Sequence, residues 1–210
     1  MSICPRAGGS PHSRNAHRFH GLFGVPRISW RGFWKMSNVD SSALCLKCGL
    51  CCNGVIFRDV KLQPEDDPDK LRSLGVAVLG SVGARPARFL QPCKALEGCQ
   101  CRIYADRPAY CRQFECGLFK SVLRGRTEPT EALRLIRAAR RGAEKVRRLL
   151  RALGDADEGI SLAARFRRTA KRLKKVSVAR EEAEIFGRLT LAMHDLNLLL
   201  SGKFYPGEPS

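Results

Sequence analysis

The stretch CLKCGLCCNG at residues 45–54 places thiols at Cys45, Cys48, Cys51 and Cys52. A second block, PCKALEGCQCRIYADRPAYCRQFEC at residues 92–116, adds Cys93, Cys99, Cys101, Cys111 and Cys116. Of the 10 cysteines in the 210-residue chain only Cys4 lies outside these blocks, a density typical of a disulfide scaffold or a metal site. Disulfides need an oxidising compartment, and no export signal is evident in the sequence. The clustered thiols also number nine, which leaves one unpaired, and adjacent Cys51 and Cys52 cannot pair with each other without strain. Metal ligation is the expectation.

The ligand types narrow the metal. No histidine occurs between residue 40 and His194, which excludes Cys2His2 zinc sites and histidine-bearing catalytic zinc sites from the cluster. An all-thiolate set leaves a closed structural zinc or an iron–sulfur cluster. The run Cys45-x2-Cys48-x2-Cys51 has the spacing with which ferredoxin loops hold three irons of a 4Fe–4S cube, and Gly49 allows a tight turn around an inorganic core. A fourth ligand has to come from elsewhere, because Cys52 follows immediately. The second block offers none of the C-x2-C knuckles of zinc ribbons, so spacing favours a 4Fe–4S cluster, with zinc as the alternative. A thiolate zinc site contributes on the order of 10–16 kcal/mol to folding, so this part of the chain is expected to fold only with metal bound.

The two blocks resemble the YkgJ-like cysteine-cluster family, described as zinc- or iron-chelating proteins. Its pattern is a CxxCGxCC block followed by C-x-x-L, C-x-I-Y, R-P, C-R and a last cysteine. The counterparts here are CLKCGLCC at 45–52, Cys93 to Leu96, Cys101 to Tyr104, Arg107-Pro108, Cys111-Arg112 and Cys116. The resemblance implies Cys45, Cys48, Cys51, Cys52, Cys93, Cys101, Cys111 and Cys116 as metal ligands, whereas Cys99 has no counterpart. Some members are similar to flagellin lysine N-methylases, which implies a redox or methyl-transfer role. No S-adenosylmethionine-binding glycine loop or CxxxCxxC spacing accompanies it here, so enzymatic activity and catalytic residues stay open. Arginines beside thiolates can donate hydrogen bonds to sulfur, a role open to Arg107 and Arg112. Pro108 is expected to open a short helix carrying Cys111. The acidic run PEDDPDK from Pro64 to Lys70 reads as a solvated turn whose acids favour the start of a helix through Leu71 and Leu74.

The net charge of +18 is unevenly spread: residues 1–39 carry six basic and no acidic residues, 40–117 eleven against nine, and 118–210 twenty-one against eleven. This divides the chain into a disordered basic extension (1–39), a cysteine-cluster domain (40–117) and a basic helical region (118–210). The extension faintly resembles a transit peptide in composition, and Met36 is a plausible start. Three apolar stripes at helical spacing follow Thr130: Leu133 to Leu153 with Gly154 as the stop, Leu162 to Val176, and Ala179 to Leu200 ending before Gly202. The expected fold is mainly α, an irregular cysteine-rich domain followed by antiparallel helices. The charged faces (Arg134, Arg137, Arg141, Lys145, Arg148 and Arg151, then Arg167, Arg168, Lys171, Lys174 and Lys175) fit a solvated surface better than a nucleic-acid backbone footprint, because charge alone signals non-specific binding at best, and the absence of interleaved aromatics leaves no stacking platform for single strands. His194 reads as structural. No apolar run approaches a membrane span, so a soluble cytoplasmic protein with a redox or protein partner is expected.

Overall fold

A computed structural model describes residues 42–81, 83, 85–175 and 179–205. The expectations for residues 1–39, Met36 among them, and for Val176 lie outside the described residues. In chain order the elements are α1 (Ser42–Cys48), β1 (Asp59–Lys61), α2 (Pro68–Ser73), β2 (Val78–Leu79), β3 (Arg88–Leu90), β4 (Leu96–Glu97), β5 (Gln100–Cys101), α3 (Ala109–Gln113), α4 (Gly117–Leu123), α5 (Pro129–Ala152), α6 (Leu162–Leu173) and α7 (Arg180–Lys203). The described chain is mainly α.

The long helices follow from their sequence. Pro129 occupies the first turn of α5, where its missing N–H costs nothing, and Ile136, Ala139, Ala143, Val146 and Leu150 form the buried stripe. Gly154 ends α5 in the left-handed conformation (φ 79°). Its N–H donates to the Arg151 carbonyl and the N–H of Asp155 to that of Leu150, the paired bonds of a Schellman cap. Glu131 at the start of α5 lies close enough to Lys203 at the end of α7 to feel its charge, so the two helices run antiparallel. A Cβ on Gly142 would meet Leu196 at 3.4 Å, which marks their close approach.

Two of the stripes differ from expectation. On α6 the buried side includes Arg165 and Thr169 beside Leu162 and Leu173, because Asp155 accompanies them into the interior. Arg165 Nε donates to Asp155 Oδ1 at 3.0 Å, Thr169 Oγ1 to Oδ2 at 3.3 Å, and Arg168 grips both carboxylate oxygens from the solvent side. Helix α7 continues through Gly202, and it does so because Phe204, 1% exposed, is anchored in the core with its N–H on the Leu200 carbonyl. At its other end Ala179 and Ala183 are exposed and Ile185 and Phe186 half-buried, so full burial on α7 begins only at Leu189.

The cysteine-bearing segment contains more regular structure than its sequence advertised. Strands β1, β3 and β2 form an antiparallel sheet in that order, with Val60 and Val78 both opposite Phe89. Strands β4 and β5 pair Leu96 with Cys101. In the acidic run, Asp67 caps α2 by accepting from the N–H groups of Asp69 and Lys70, which places an acid at the helix start as expected. Two apolar cores result. The larger joins α5, α6 and α7 to Leu44, Leu50, Val55 and Leu118. The smaller holds Val60, Leu62, Leu71, Val76, Phe89, Ala95 and Ile103.

Candidate metal centre

Cys45 and Cys48 sit three residues apart on α1 and therefore share a face. The helix stops at Cys48 because Gly49 adopts φ 67°, a conformation open to glycine. The Gly49 carbonyl then accepts from the N–H groups of Cys52 and Asn53, which winds Cys51 and Cys52 into a tight turn pinned by wholly buried Leu50. A Cβ at position 49 would stand 3.2 Å from the Cys99 Cα, so a glycine is also what lets the two cysteine blocks touch. Cys99 itself is 6% exposed.

The second block arrives through three local devices. Cys93 donates its N–H to the Cys52 carbonyl at 2.8 Å, and the β4–β5 hairpin carries Cys101 back beside it. Cys111 lies on α3, whose first N–H, that of Ala109, donates to Asp66 Oδ1 at 2.7 Å across 43 residues. Pro108 is the residue just before this helix. Cys116 caps α4, and its Sγ accepts from the Phe119 N–H at 3.4 Å. Arg107 and Arg112 spend their hydrogen bonds on backbone carbonyls rather than on sulfur: Arg107 donates to the Tyr104 carbonyl at 2.9 Å with its guanidinium 3.6 Å from that ring's centre, and Arg112 donates to the Arg107 carbonyl.

Burial dominates the chemistry of these thiols. It pushes Cys48, Cys52 and Cys111 up to about 12, and holds Cys51 well above the ordinary thiol value. Cys45, Cys93 and Cys116 are raised for the same reason. Neighbouring sulfurs push further in the same direction, while Arg107 opposes the rise at Cys45 and Cys111 and backbone N–H groups oppose it at Cys116. Thiols this crowded cannot all ionise in a low-dielectric pocket unless a cation lies among them. They suit two states, the neutral thiol and the metal-bound thiolate.

Seven of the eight cysteines matched by the motif, all but Cys93, line one cavity of about 220 Å³. Phe57 packs edge-on against Tyr110 and Phe114, with ring centres at 5.7 and 4.7 Å, and these three rings form one wall of the cavity. Gln91, 2% exposed, reaches the same cavity with its Oε1 unpartnered among the described residues. An orphaned amide beside soft sulfur ligands fits a polar or inorganic occupant better than an apolar one. Among the described residues no three His, Cys, Asp or Glu side chains already stand close enough to hold a single ion, so these are neighbouring thiols and not a finished coordination sphere. His194 lies exposed on α7, away from them.

Sequence reasoning did not anticipate Gln91, the aromatic wall or the Asp66 cap. Gln91 had no local signal, and Asp66 looked like any other acid in its run. The aromatics alone left a trace, because Tyr110 and Phe114 flank Cys111 in the second block. No curated protein and no solved structure matches the chain. The cysteine geometry does coincide with a recognised domain: residues 44–130 match the CxxCxxCC family model, described as a putative zinc- or iron-chelating domain.

Proposed function

We propose that residues 44–130 hold an iron–sulfur cluster through thiolates drawn from Cys45, Cys48, Cys51, Cys52, Cys93, Cys101, Cys111 and Cys116, and that the protein works as an electron carrier. The observation that carries this reading is the cavity of about 220 Å³ bordered by seven of those thiols, with no imidazole among its lining. A closed zinc site draws four sulfurs to about 2.3 Å from one ion and leaves no internal space. A cavity with room for several waters, at about 30 Å³ each, suits a larger inorganic core. Such a core, once bound, supplies a reversible one-electron site whose potential follows hydrogen bonding and burial. The chain's own contribution is to shape that environment. The Phe57, Tyr110 and Phe114 rings wall one side of the cavity, the Phe119 N–H donates to the Cys116 sulfur, and the Arg107 charge acts on Cys45 and Cys111.

A second reading is a structural zinc module whose basic helices bind nucleic acid. It draws on Arg137, Arg141, Lys145 and Arg148, exposed along α5 and without an ion pair among the described residues. Against it, Arg134 and Arg151 on the same helix, and Arg168 on α6, are already tied to carboxylates. Anaerobic purification followed by iron, sulfide and zinc analysis and a visible spectrum decides between the two. Brown protein with iron and acid-labile sulfide supports the cluster. Colourless protein with stoichiometric zinc, and no cluster after reconstitution with iron and sulfide, rules it out.

A further inference from the structure

The geometry points to two adjoining four-thiolate centres at the one cysteine-lined cavity: one formed by Cys45, Cys48, Cys51 and Cys116, the other by Cys52, Cys93, Cys101 and Cys111. This rests on the metal-binding reading above and adds the number and membership of the centres.

The partition is visible first in the packing. Cys48 and Cys116 lie against the larger core, whereas Cys93, Cys101 and Cys111 lie against the smaller one. Chain geometry then assigns the rest. Cys45 and Cys48 share one face of α1, and Gly49 turns the chain so that Cys51 follows them. Cys52 belongs to the second set, because its carbonyl holds the Cys93 N–H at 2.8 Å and the β4–β5 hairpin brings Cys101 alongside.

Adjacent cysteines, awkward for a single centre, are the natural hinge between two. Each set contains four soft anionic donors, the complement of a closed zinc site or of one cubane cluster.

The test uses the full chain, purified anaerobically. Metal and sulfide per chain are measured for the parent and for two double variants, Cys45→Ser with Cys116→Ser and Cys93→Ser with Cys101→Ser. The parent should carry two centres, and each double variant should lose half the metal and keep the rest. Because a variant can misfold, the parent is also partially chelated and pulsed with an alkylating reagent, and the labelled cysteines are read by mass spectrometry. Labelling should appear in two sets of four, with the members given above. A single centre per chain, emptied by both double variants, or labelling of all eight together, overturns the partition while leaving metal binding intact. A parent that takes up neither zinc nor a reconstituted cluster overturns the metal reading and the partition with it.

Discussion

Replacing Asp155 by alanine should destabilise the fold far more than a typical surface substitution. The Asp155 and Arg165 side chains are 5% and 2% exposed, and Arg165 donates to Asp155 Oδ1 at 3.0 Å and to its carbonyl at 2.6 Å. Without the carboxylate the buried guanidinium keeps only that carbonyl and the solvent-exposed Glu158, 3.6 Å away. Breaking a buried pair from one side costs about 3–5 kcal/mol, since the remaining charge is stranded. With a urea dependence of about 2 kcal/mol/M, the midpoint should fall by roughly 2 M at an unchanged slope. The double variant Asp155→Leu with Arg165→Met removes both charges and should recover most of that loss, because an apolar pair avoids the desolvation cost. Arg168→Ala should have a much smaller effect, because its head is half in solvent. Urea denaturation followed by circular dichroism reads all three. A midpoint shift under about 0.5 M for Asp155→Ala, or a double variant no more stable than the single one, would refute the stranded-charge reasoning.

Gly117→Ala should cost about 1–3 kcal/mol, as overpacking does. Its Cβ would stand 2.6 Å from the Tyr205 carbonyl oxygen, a backbone atom that cannot step aside, and Cys116 lies next to it. Thermal unfolding together with metal content should show both falling. Metal removal should loosen the small core around Val60, Phe89 and Ile103 while α5 and α7 hold, because three cysteines pack on that core. Hydrogen exchange of the chelated protein should then show faster amides at residues 59–61 and 88–90 and unchanged protection in α5. For the basic helices, the solvated-face reading predicts no measurable affinity for a generic duplex at physiological salt. Tight binding with a steep negative log–log salt slope would reverse that reading.

What the sequence could disclose depended on how local each cause was. The stripe from Ile136 to Leu150, the stop at Gly154 and the acidic start of α2 each act within a few residues, so spacing alone revealed them. Arg165 did not declare itself, because an arginine reads as surface until its partner is known, and Asp155 sits in a separate loop. The short strands were hidden for a similar reason: two or three residues cannot display an alternation. In the site, residue type and spacing singled out seven of the thiols that border the cavity. Their distribution between two cores could not be read, because it depends on the Cys52 carbonyl meeting the Cys93 N–H and on the hairpin register.

The bond between the Gly117 N–H and the Phe204 carbonyl, at 2.9 Å, has a consequence for biosynthesis. The loop that presents Cys116 is braced by a residue made almost ninety positions later, so ribosomal synthesis delivers the thiols well before the brace that fixes the last of them. At about 5–20 residues per second, that gap is roughly 4–18 s. The nascent chain therefore passes through an interval in which its cysteines are exposed to stray metals and oxidants. The Cys116 loop is braced only after the end of α7 has been made and closes over it.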